Sequence, residues 1–102
     1  MTTENGITFV NVVDVDPARQ AELVALLREG AERVIRHRPG FVSLTLLAST
    51  DGSRVVNLAR WRSADDVRAT QADPAAAEYA ARTAAIAGAR PGLYTVAAQY
   101  DA

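Results

Sequence analysis

The chain has 102 residues, a length typical of one domain, and with 49% hydrophobic and 23% charged residues it has the composition of a globular protein. Its 12 acidic residues balance 11 basic ones, all of them arginine, so the charge gives no support for nucleic acid or an anionic membrane as a partner. Cysteine is absent, which excludes disulfides. No apolar run approaches the ~18 residues that span a bilayer, and residues 1–6 are too polar for a signal peptide. The sequence therefore predicts one cytoplasmic domain over residues 1–102.

The chain begins with a predicted strand and a predicted helix. Residues 7–14 (ITFVNVVD) are β-branched and apolar, which favours a strand. Asp16 and Pro17 then have the form of a helix N-cap followed by proline in the first turn. Apolar residues at helical spacing extend this helix over 17–37, where a Pro-Gly pair at 39–40 stops it.

A hairpin follows the first helix. Residues 41–49 (FVSLTLLAS) and 54–61 (RVVNLARW) both have strand composition. The intervening 50–53 (TDGS) contains Asp-Gly, which is typical of a type I′ turn because both residues tolerate positive φ angles. These segments predict two adjacent antiparallel strands.

The last third predicts a broken helix and a fourth strand. Ser63 and Asp66 resemble a capping box that opens a short helix. Pro74 restarts or kinks that helix, and alanine-rich sequence carries it to about residue 87. Residues 93–100 (LYTVAAQY) predict the fourth strand.

An Arg-Pro-Gly sequence occurs twice, at 38–40 and at 90–92, each time between a long helix and a strand. The chain therefore resembles two β-α-β halves, and we predict an α+β, ferredoxin-like β-α-β-β-α-β fold with an antiparallel sheet. Such a sheet carries helices on one face only, so its other face meets solvent or a partner. The side chains predicted on that other face are Arg54, Val56, Leu58 and Arg60 of the third strand and Phe41, Ser43, Thr45 and Leu47 of the second. This mixture is typical of a dimer interface, and we expect a homodimer.

The helix-facing side of the third strand holds the first candidate site residues. Alternation places Val55, Asn57, Ala59 and Trp61 there. Because burying an unpaired amide costs a few kcal/mol, Asn57 either bonds to backbone or a trapped water, or belongs to a ligand site. Trp61 lies roughly 13 Å farther along the strand. It is either a core residue closing the sheet or one wall of a site in which a flat molecule of two or three rings covers Ala59.

Three further residues are candidates for substrate binding. Asn11 interrupts the apolar first strand, which neighbours the third in a ferredoxin-like sheet. If its face is the helix side, Asn11 and Asn57 converge on one pocket, and that convergence favours a ligand site. Tyr79 and Arg82 lie one turn apart on the second long helix and are candidates to reach the same pocket, although a solvated surface position also accounts for Arg82.

The sequence lacks the residues that form metal sites and nucleotide-binding loops. The single histidine, His37, lies at a predicted exposed helix end, so with no cysteine a zinc or copper cluster cannot be assembled. Asp14 and Asp16 form no convincing carboxylate pair because an N-cap accounts for Asp16. Phosphate-binding loops and nucleophile elbows are absent. We expect no cofactor and no metal.

Three stretches resemble the antibiotic biosynthesis monooxygenase family: 39–43 (PGFVS), 49–52 (STDG) and 55–63 (VVNLARWRS). The chain is most similar to small actinomycete enzymes that oxidise aromatic polyketide anthrones to quinones. The resemblance implies a ferredoxin-like protomer paired through its sheet into a dimeric α+β barrel. It also implies a cofactor-independent monooxygenase whose partners are a small aromatic substrate and O2.

The resemblance implies roles for individual residues. An acidic anthrone can lose a proton to give an enolate that reduces O2 directly, so the protein need only bind the rings, favour the anion and exclude water. Asn57 and Trp61 would be the catalytic residues, holding substrate oxygen atoms with hydrogen bonds donated by the amide and the indole N–H.

The chain departs from that pattern on the second helix. Val67 occupies a substrate-binding position where the relatives carry a tyrosine, and Ala80 stands nearest to their arginine, with Arg82 as a candidate substitute. Without that tyrosine, either the substrate ionises unaided, or Tyr79 takes the proton, or the protein is a non-oxygenating cyclase, isomerase or aromatic-ligand-binding dimer. A structural or regulatory dimerisation module is a third hypothesis. No histidine follows His37, which argues against the axial haem ligand of haem-degrading relatives.

Overall fold

The computed structural model describes residues 6–102, so the interpretation of residues 1–5 as a polar start lies outside it. The helices and strands along these residues are β1 (Ile7–Val15), α1 (Gln20–Arg33), β2 (Phe41–Ala48), β3 (Arg54–Trp61), α2 (Ala64–Gln71), α3 (Pro74–Ala84) and β4 (Ala87–Tyr94). The strands pair antiparallel in the order β2-β3-β1-β4. This arrangement confirms the predicted α+β, ferredoxin-like fold.

The predicted helix over 17–37 is divided into three parts. Asp16 accepts a hydrogen bond from the Ala18 N–H at 2.9 Å, as expected of an N-cap, but the first turn, Pro17–Arg19, is a 3₁₀ helix. A second 3₁₀ turn, Ile35–His37, follows α1. Such tight turns are common at helix ends, where they satisfy backbone groups that lack an α-helical partner.

The predicted position of the fourth strand was wrong. We expected residues 93–100, whereas β4 is Ala87–Tyr94 and residues 95–102 have no regular secondary structure. Gly88, Pro91 and Gly92 had been interpreted as the end of the preceding helix. Proline is tolerated in β4 because this strand lies at the edge of the sheet, where one row of N–H groups has no strand to pair with.

The hairpin between β2 and β3 exists, but its predicted type I′ geometry was wrong. Only Gly52 has a positive φ, of 82°, whereas the type I′ turn also requires one at Asp51. The Gly52 N–H donates to the Ser49 carbonyl at 3.1 Å. The Asp51 carboxylate accepts hydrogen bonds from the Ser53 hydroxyl and N–H and from the Ser49 hydroxyl, and these bonds lower the pKa of Asp51 to about 2.

The register of the strands defines two faces of the sheet. The open face, which carries no helix, includes Arg54, Val56, Leu58, Arg60, Ser43, Thr45 and Leu47, as predicted. Phe41 was wrongly placed there. A bulge between Phe41 and Ser43 puts Phe41 opposite Trp61 on the helix face, where the two rings meet edge to face with centroids 5.6 Å apart.

Two clusters of buried residues lie between the sheet and the helices. The first consists of Val13, Val15, Leu23 and Val55. The second consists of Ala59, Trp61 and Val67. Between them, one residue from each strand forms a row across the helix face, in the order Leu46, Asn57, Asn11 and Pro91. We call this row the amide row; it separates the two halves of the core.

Candidate functional site

The two asparagines of the amide row are direct cross-strand neighbours. Asn11 of β1 pairs with Asn57 of β3 in the antiparallel register. Val13 and Val55 lie two residues from Asn11 and Asn57 along their strands, and both are fully buried beneath the helices. Because residues two apart in a strand share a face, both amides lie on the helix face. The sequence had predicted this convergence only if the face of Asn11 proved to be the helix side, and the register meets that condition.

Asn11 is partly committed to holding the sheet together. Its cross-strand neighbour in β4 is Pro91, which has no N–H to donate. The side-chain Oδ1 of Asn11 accepts a hydrogen bond from the Arg90 N–H at 2.9 Å. The amide oxygen therefore faces β4, and the N–H₂ end of the same amide is not used in that bond.

Asn57 differs from Asn11 because its amide oxygen has no hydrogen-bond partner among the described residues. This Oδ1 atom is buried. Leaving such an acceptor unpaired costs about 1–3 kcal/mol, and most buried polar atoms in folded proteins are paired. A buried acceptor without a protein partner is satisfied by a water molecule or by a bound ligand.

Trp61 closes the sheet at the end beyond Asn57. It is 4% exposed and packs with Ala59 and Val67. Half-buried apolar side chains complete these surroundings, and they are Ile7, Phe9, Ile35, Phe41 and Leu44. The small Ala59 stands between Asn57 and Trp61 along the strand, so the polar amide and the indole border one largely apolar region.

Val67 contributes packing rather than chemistry. It is 3% exposed and lies in the same cluster as Trp61. Ser63 caps α2 by accepting from the Asp66 N–H at 3.1 Å, as the capping box predicted, and this cap fixes the first turn of the helix that carries Val67. An aliphatic side chain here cannot transfer a proton.

Tyr79 and Arg82 lie in the contact between α1 and α3. The Tyr79 ring packs against Gly30, and its hydroxyl donates to Glu29 at 2.7 Å. Arg82 lies over that ring, 5.1 Å from its centroid, and pairs with Glu29 at 3.5 Å. Within residues 6–102, the hydrogen bonds and ion pair of these side chains thus go to Glu29 and not to the amide row.

The bond to Glu29 also sets the protonation of Tyr79. It raises the pKa of the Tyr79 hydroxyl, and the same bond, helped by Arg33 and Arg82, lowers the pKa of Glu29. The phenol therefore stays protonated at neutral pH and is poorly suited to accept a proton from a substrate.

Two open clefts lie along α1, and neither is lined by a residue of the amide row. One, of about 350 Å³, is lined by Ala25, Arg28, Glu29, Glu32 and Arg33. The other, of about 300 Å³, is lined by Glu22, Ala25, Leu26, Glu29, Arg82 and Ile86. The lining of the first cleft is mostly charged and that of the second is half charged, unlike the mostly apolar sites that bind aromatic molecules.

His37 lies at a helix end, as predicted. One of its ring nitrogens, Nε2, lies 3.0 Å from the Glu32 carbonyl oxygen. Among residues 6–102 no group of three or more histidine, cysteine or acidic side chains is arranged to hold a metal ion. Over the same residues, no helix is long and apolar enough to cross a membrane.

Comparison with known proteins identifies the family. The sequence profile described as antibiotic biosynthesis monooxygenase matches residues 6–82, more than half of the chain. The chain belongs to the antibiotic biosynthesis monooxygenase family. This confirms the resemblance stated from the sequence.

Individual relatives within the family are informative. Tetracenomycin-F1 monooxygenase of Streptomyces glaucescens is 54% identical over 67 residues, which are 66% of this chain and 60% of that relative's length. The monooxygenase from the gene ActVA-Orf6 of Streptomyces coelicolor, solved with nanaomycin D, has a TM-score of 0.86 and 34% identity over 99% of this chain and 96% of that one. SnoaB, a cofactor-independent oxygenase of Streptomyces nogalater solved as an asparagine-to-alanine variant, has a TM-score of 0.84 and 30% identity over 93% and 96% of the two chains.

Sequence reasoning missed two residues beside the candidate site. Phe41 was assigned to the wrong face, and Leu46 was not singled out, although both border the region between Asn57 and Trp61. The alternation of β2 gave a signal for Leu46 once its register with β3 was known. The bulge that redirects Phe41 left no comparable mark in the sequence.

Proposed function

We propose that this member of the antibiotic biosynthesis monooxygenase family is a cofactor-independent monooxygenase. It oxidises an aromatic polyketide-type substrate, an anthrone or phenol, to a quinone with O2. The observation that carries the proposal is the buried, unpaired Oδ1 of Asn57, which borders the apolar region next to Trp61. The relatives support it, since all three are named as oxygenases and SnoaB as a cofactor-independent one.

The reaction needs little from the protein. Deprotonation of the anthrone CH₂ gives an enolate whose carbon supplies electrons to O2, forming a C–O bond and a hydroperoxide. Loss of the second C–H proton with cleavage of the O–O bond releases water and leaves a carbonyl, so that CH₂ and O2 become C=O and H₂O. The protein binds the rings and excludes water, which strengthens every electrostatic contact to the anion.

The side chains divide this work. Asn57 holds a substrate oxygen atom in the amide row, and Trp61 and the aromatic and aliphatic residues around it enclose the rings. Tyr79 is not the base in this proposal, because its hydroxyl donates to Glu29 and its pKa is raised. The acidity of the substrate itself supplies the anion.

Oxygen uptake with dithranol tests the proposal. Purified protein, checked free of metal and flavin, is mixed with this anthrone, and oxygen and the quinone absorption band are followed above the spontaneous rate. We expect Asn57→Ala and Trp61→Phe to lower the rate by about tenfold or more, since each removes a substrate contact. Arg68→Ala, an exposed change on α2, is the matched control. A rate no greater than background, or one indifferent to both variants, contradicts the proposal.

A non-oxygenating activity is the second candidate, and Val67 favours it. This buried aliphatic residue stands where the family resemblance implies a tyrosine, so proton handling at that position is lost. A cyclase, an isomerase or an aromatic-ligand-binding dimer would release its ligand unchanged, or rearranged without O2. Analysis of products after anaerobic incubation separates this candidate from the oxygenase.

We also propose that the protein is a homodimer formed through the open face. Leu47 of β2 is 50% exposed there, while Val56 and Leu58 of β3 are half-buried. Near one end of the strands, Asp14 pairs with Arg54 at 3.4 Å and with Arg90 at 3.1 Å. An apolar centre beside a charged margin is the usual anatomy of a protein interface.

A further inference from the structure

The end of the chain has the composition of a strand but is not paired as one. The sequence predicts a strand over 93–100 (LYTVAAQY), whereas β4 ends at Tyr94 and residues 95–102 have no regular secondary structure. The cross-strand pairs of β4 also stop at Tyr94, which lies opposite Thr8 of β1. Within the part of the chain that the structure describes, the uncharged residues 95–100, which we call the C-terminal arm, therefore have no strand beside them.

One side of the C-terminal arm is apolar when the arm is extended. Tyr94 lies on the open face of the sheet, opposite Thr8. Alternation then carries three further side chains to the same side, namely Val96, Ala98 and Tyr100. Val96 is 66% exposed and Tyr100 is 90% exposed. The arm thus prolongs the open face beyond the end of the sheet with an apolar row that is stabilised when it is covered.

The outer edge of β2 is the less protected of the two edges of the sheet. The edge strands are β2 and β4, and natural proteins protect such strands with proline, charged side chains or bulges. β4 carries Arg90 and Pro91, whereas β2 (FVSLTLLA) has no proline and no charged residue. Its bulge, between Phe41 and Ser43, lies at the start of the strand. The rest of β2 is therefore a template on which another strand can pair.

We propose that the C-terminal arm of each copy pairs, as a fifth strand, with the outer edge of β2 in a second copy. The inference rests on the homodimer proposed above and adds the element that holds it together. Two-fold symmetry makes the exchange reciprocal, since each copy then gives one arm and receives one. Both β2 edges are covered in this way, so the assembly closes at two copies.

The arm does not reach β2 of its own chain. Two strands separate β2 from β4, so at the usual spacing the two edges lie about 14 Å apart. The six residues of the arm span about 20 Å when extended, and most of that length would be used in crossing the end of the sheet. A second copy removes this problem. When two sheets stack orthogonally, an edge strand of one lies across the strand ends of the other, which is where the arm leaves β4.

Hydrogen exchange on the intact protein tests whether the arm is a strand. Amides of the arm that pair with β2 of a second copy are expected to exchange at least about tenfold more slowly than the same amides in an unstructured peptide of sequence TVAAQY. The measurement is made at a concentration at which sedimentation velocity shows wild type to be dimeric. No substitution is needed, so the result does not depend on how a variant folds.

Cross-linking tests which strand the arm meets, and the absence of cysteine from the chain makes it selective. An isotopically labelled Val96→Cys protein is mixed with an unlabelled Thr45→Cys protein and treated with a short bismaleimide. Thr45 lies on the open face of β2, so we expect a covalent dimer of mixed isotopic mass. Ala25→Cys, an exposed position on α1, replaces Thr45→Cys in the matched control. The yield of the mixed dimer is expected to fall at least about tenfold with this control.

Truncation measures what the arm contributes to dimer stability. Removal of residues 95–102 is expected to raise the dissociation constant of the dimer at least about tenfold, because paired backbone and covered apolar surface are lost. Removal of residues 101–102 alone leaves the arm intact and should leave the dissociation constant unchanged. Thermal unfolding of both truncated proteins shows that each remains folded.

Several results would overturn the inference. Arm amides that exchange as fast as the peptide in a dimeric wild type would overturn the exchanged strand alone and leave the homodimer standing. So would a yield of mixed dimer with Thr45→Cys no higher than with Ala25→Cys, or a dissociation constant unchanged by the longer truncation. A monomeric wild type at micromolar concentration would overturn both the exchange and the homodimer. Oxygen uptake from dithranol is measured separately, so failure of the oxygenase proposal is distinguishable from each of these results.

Discussion

Asn11 faces Asn57 across the β1–β3 pair and, on its other side, holds the edge strand β4 through the Arg90 N–H. The same residue thus joins the candidate site to the sheet margin. The bond lies beside Pro91, the cross-strand neighbour of Asn11, and gives the adjacent Arg90 N–H a side-chain acceptor. A polar residue in the middle of an apolar strand accordingly has a structural role as well as the substrate-binding role predicted from the sequence.

Asn11→Ala is predicted to loosen β4. Loss of one hydrogen bond costs about 1 kcal/mol, and the Arg90 amide should then exchange its hydrogen faster. Urea unfolding and hydrogen exchange measure the two effects. Asn11→Asp, which keeps an acceptor oxygen, should protect the Arg90 amide as well as wild type does. Unchanged exchange at Arg90 in Asn11→Ala would show that the bond does not hold the strand.

The alternation of side chains along the central strands was predictable from the sequence, and the position of the edge strand β4 was not. Val55, Asn57, Ala59 and Trp61 share the helix face because strands are pleated with a period of two, and this rule needs no tertiary information. The fourth strand was misplaced by six residues at its start, from Leu93 to Ala87, because glycine and proline give a turn signal that an edge strand can override.

The sequence predicted the strand positions of the candidate site residues but not their hydrogen bonds. Cross-strand placement of Asn11 and Asn57 follows from topology plus alternation. The hydrogen bonds of Tyr79 did not follow, because they depend on how α1 and α3 pack, and Gly30 admits the tyrosine ring there. The absence of a partner for Asn57 Oδ1 is also a property of the three-dimensional surroundings that no local pattern encodes.

Tyr79→Phe is predicted to leave the oxygenase rate within about twofold of wild type. The Tyr79 hydroxyl donates to Glu29, which raises its pKa, so it is not a proton acceptor at neutral pH. The measurement is oxygen uptake with dithranol, with Trp61→Phe as the variant expected to slow it. A fall of tenfold or more in Tyr79→Phe would instead identify the tyrosine as a participant in the chemistry.

Gly40→Ala is predicted to destabilise the protein. Gly40 has φ of +83°, a conformation that costs other residues about 1–2 kcal/mol, and an added Cβ would overlap the Asp66 carboxylate. We expect the free energy of unfolding in urea to fall by about 2 kcal/mol or more. Gly88→Ala is the matched control, since a Cβ there meets nothing within 4 Å. Within a strand that change should be neutral or stabilising by about 0.5 kcal/mol. Equal effects of the two substitutions would refute this account.

The Asp51 hairpin is predicted to make stability depend on pH in the acid range. Hydrogen bonds from Ser53 and Ser49 lower the folded-state pKa to about 2 from the usual 3.8. A lowered carboxyl pKa stabilises the fold above the unfolded value, and that stabilisation is lost as pH falls from about 4 toward 2. Asp51→Asn should therefore lower the melting temperature at pH 7, and its difference from wild type should shrink over this range. A difference that is constant from pH 7 to pH 2 would exclude ionised Asp51 as the cause.

Leu58→Glu is predicted to separate the proposed homodimer. Leu58 lies at the centre of the open face, with Val10 of β1 and Thr45 of β2 as its cross-strand neighbours. A carboxylate there is tolerated in a monomer, where it meets water, but is costly when a second sheet covers it. Sedimentation velocity should give twice the monomer mass for wild type and for Arg28→Glu, an exposed change on α1, and the monomer mass for Leu58→Glu. A monomeric wild type at micromolar concentration, or a dimeric Leu58→Glu, would show that copies of the chain do not pair through this face.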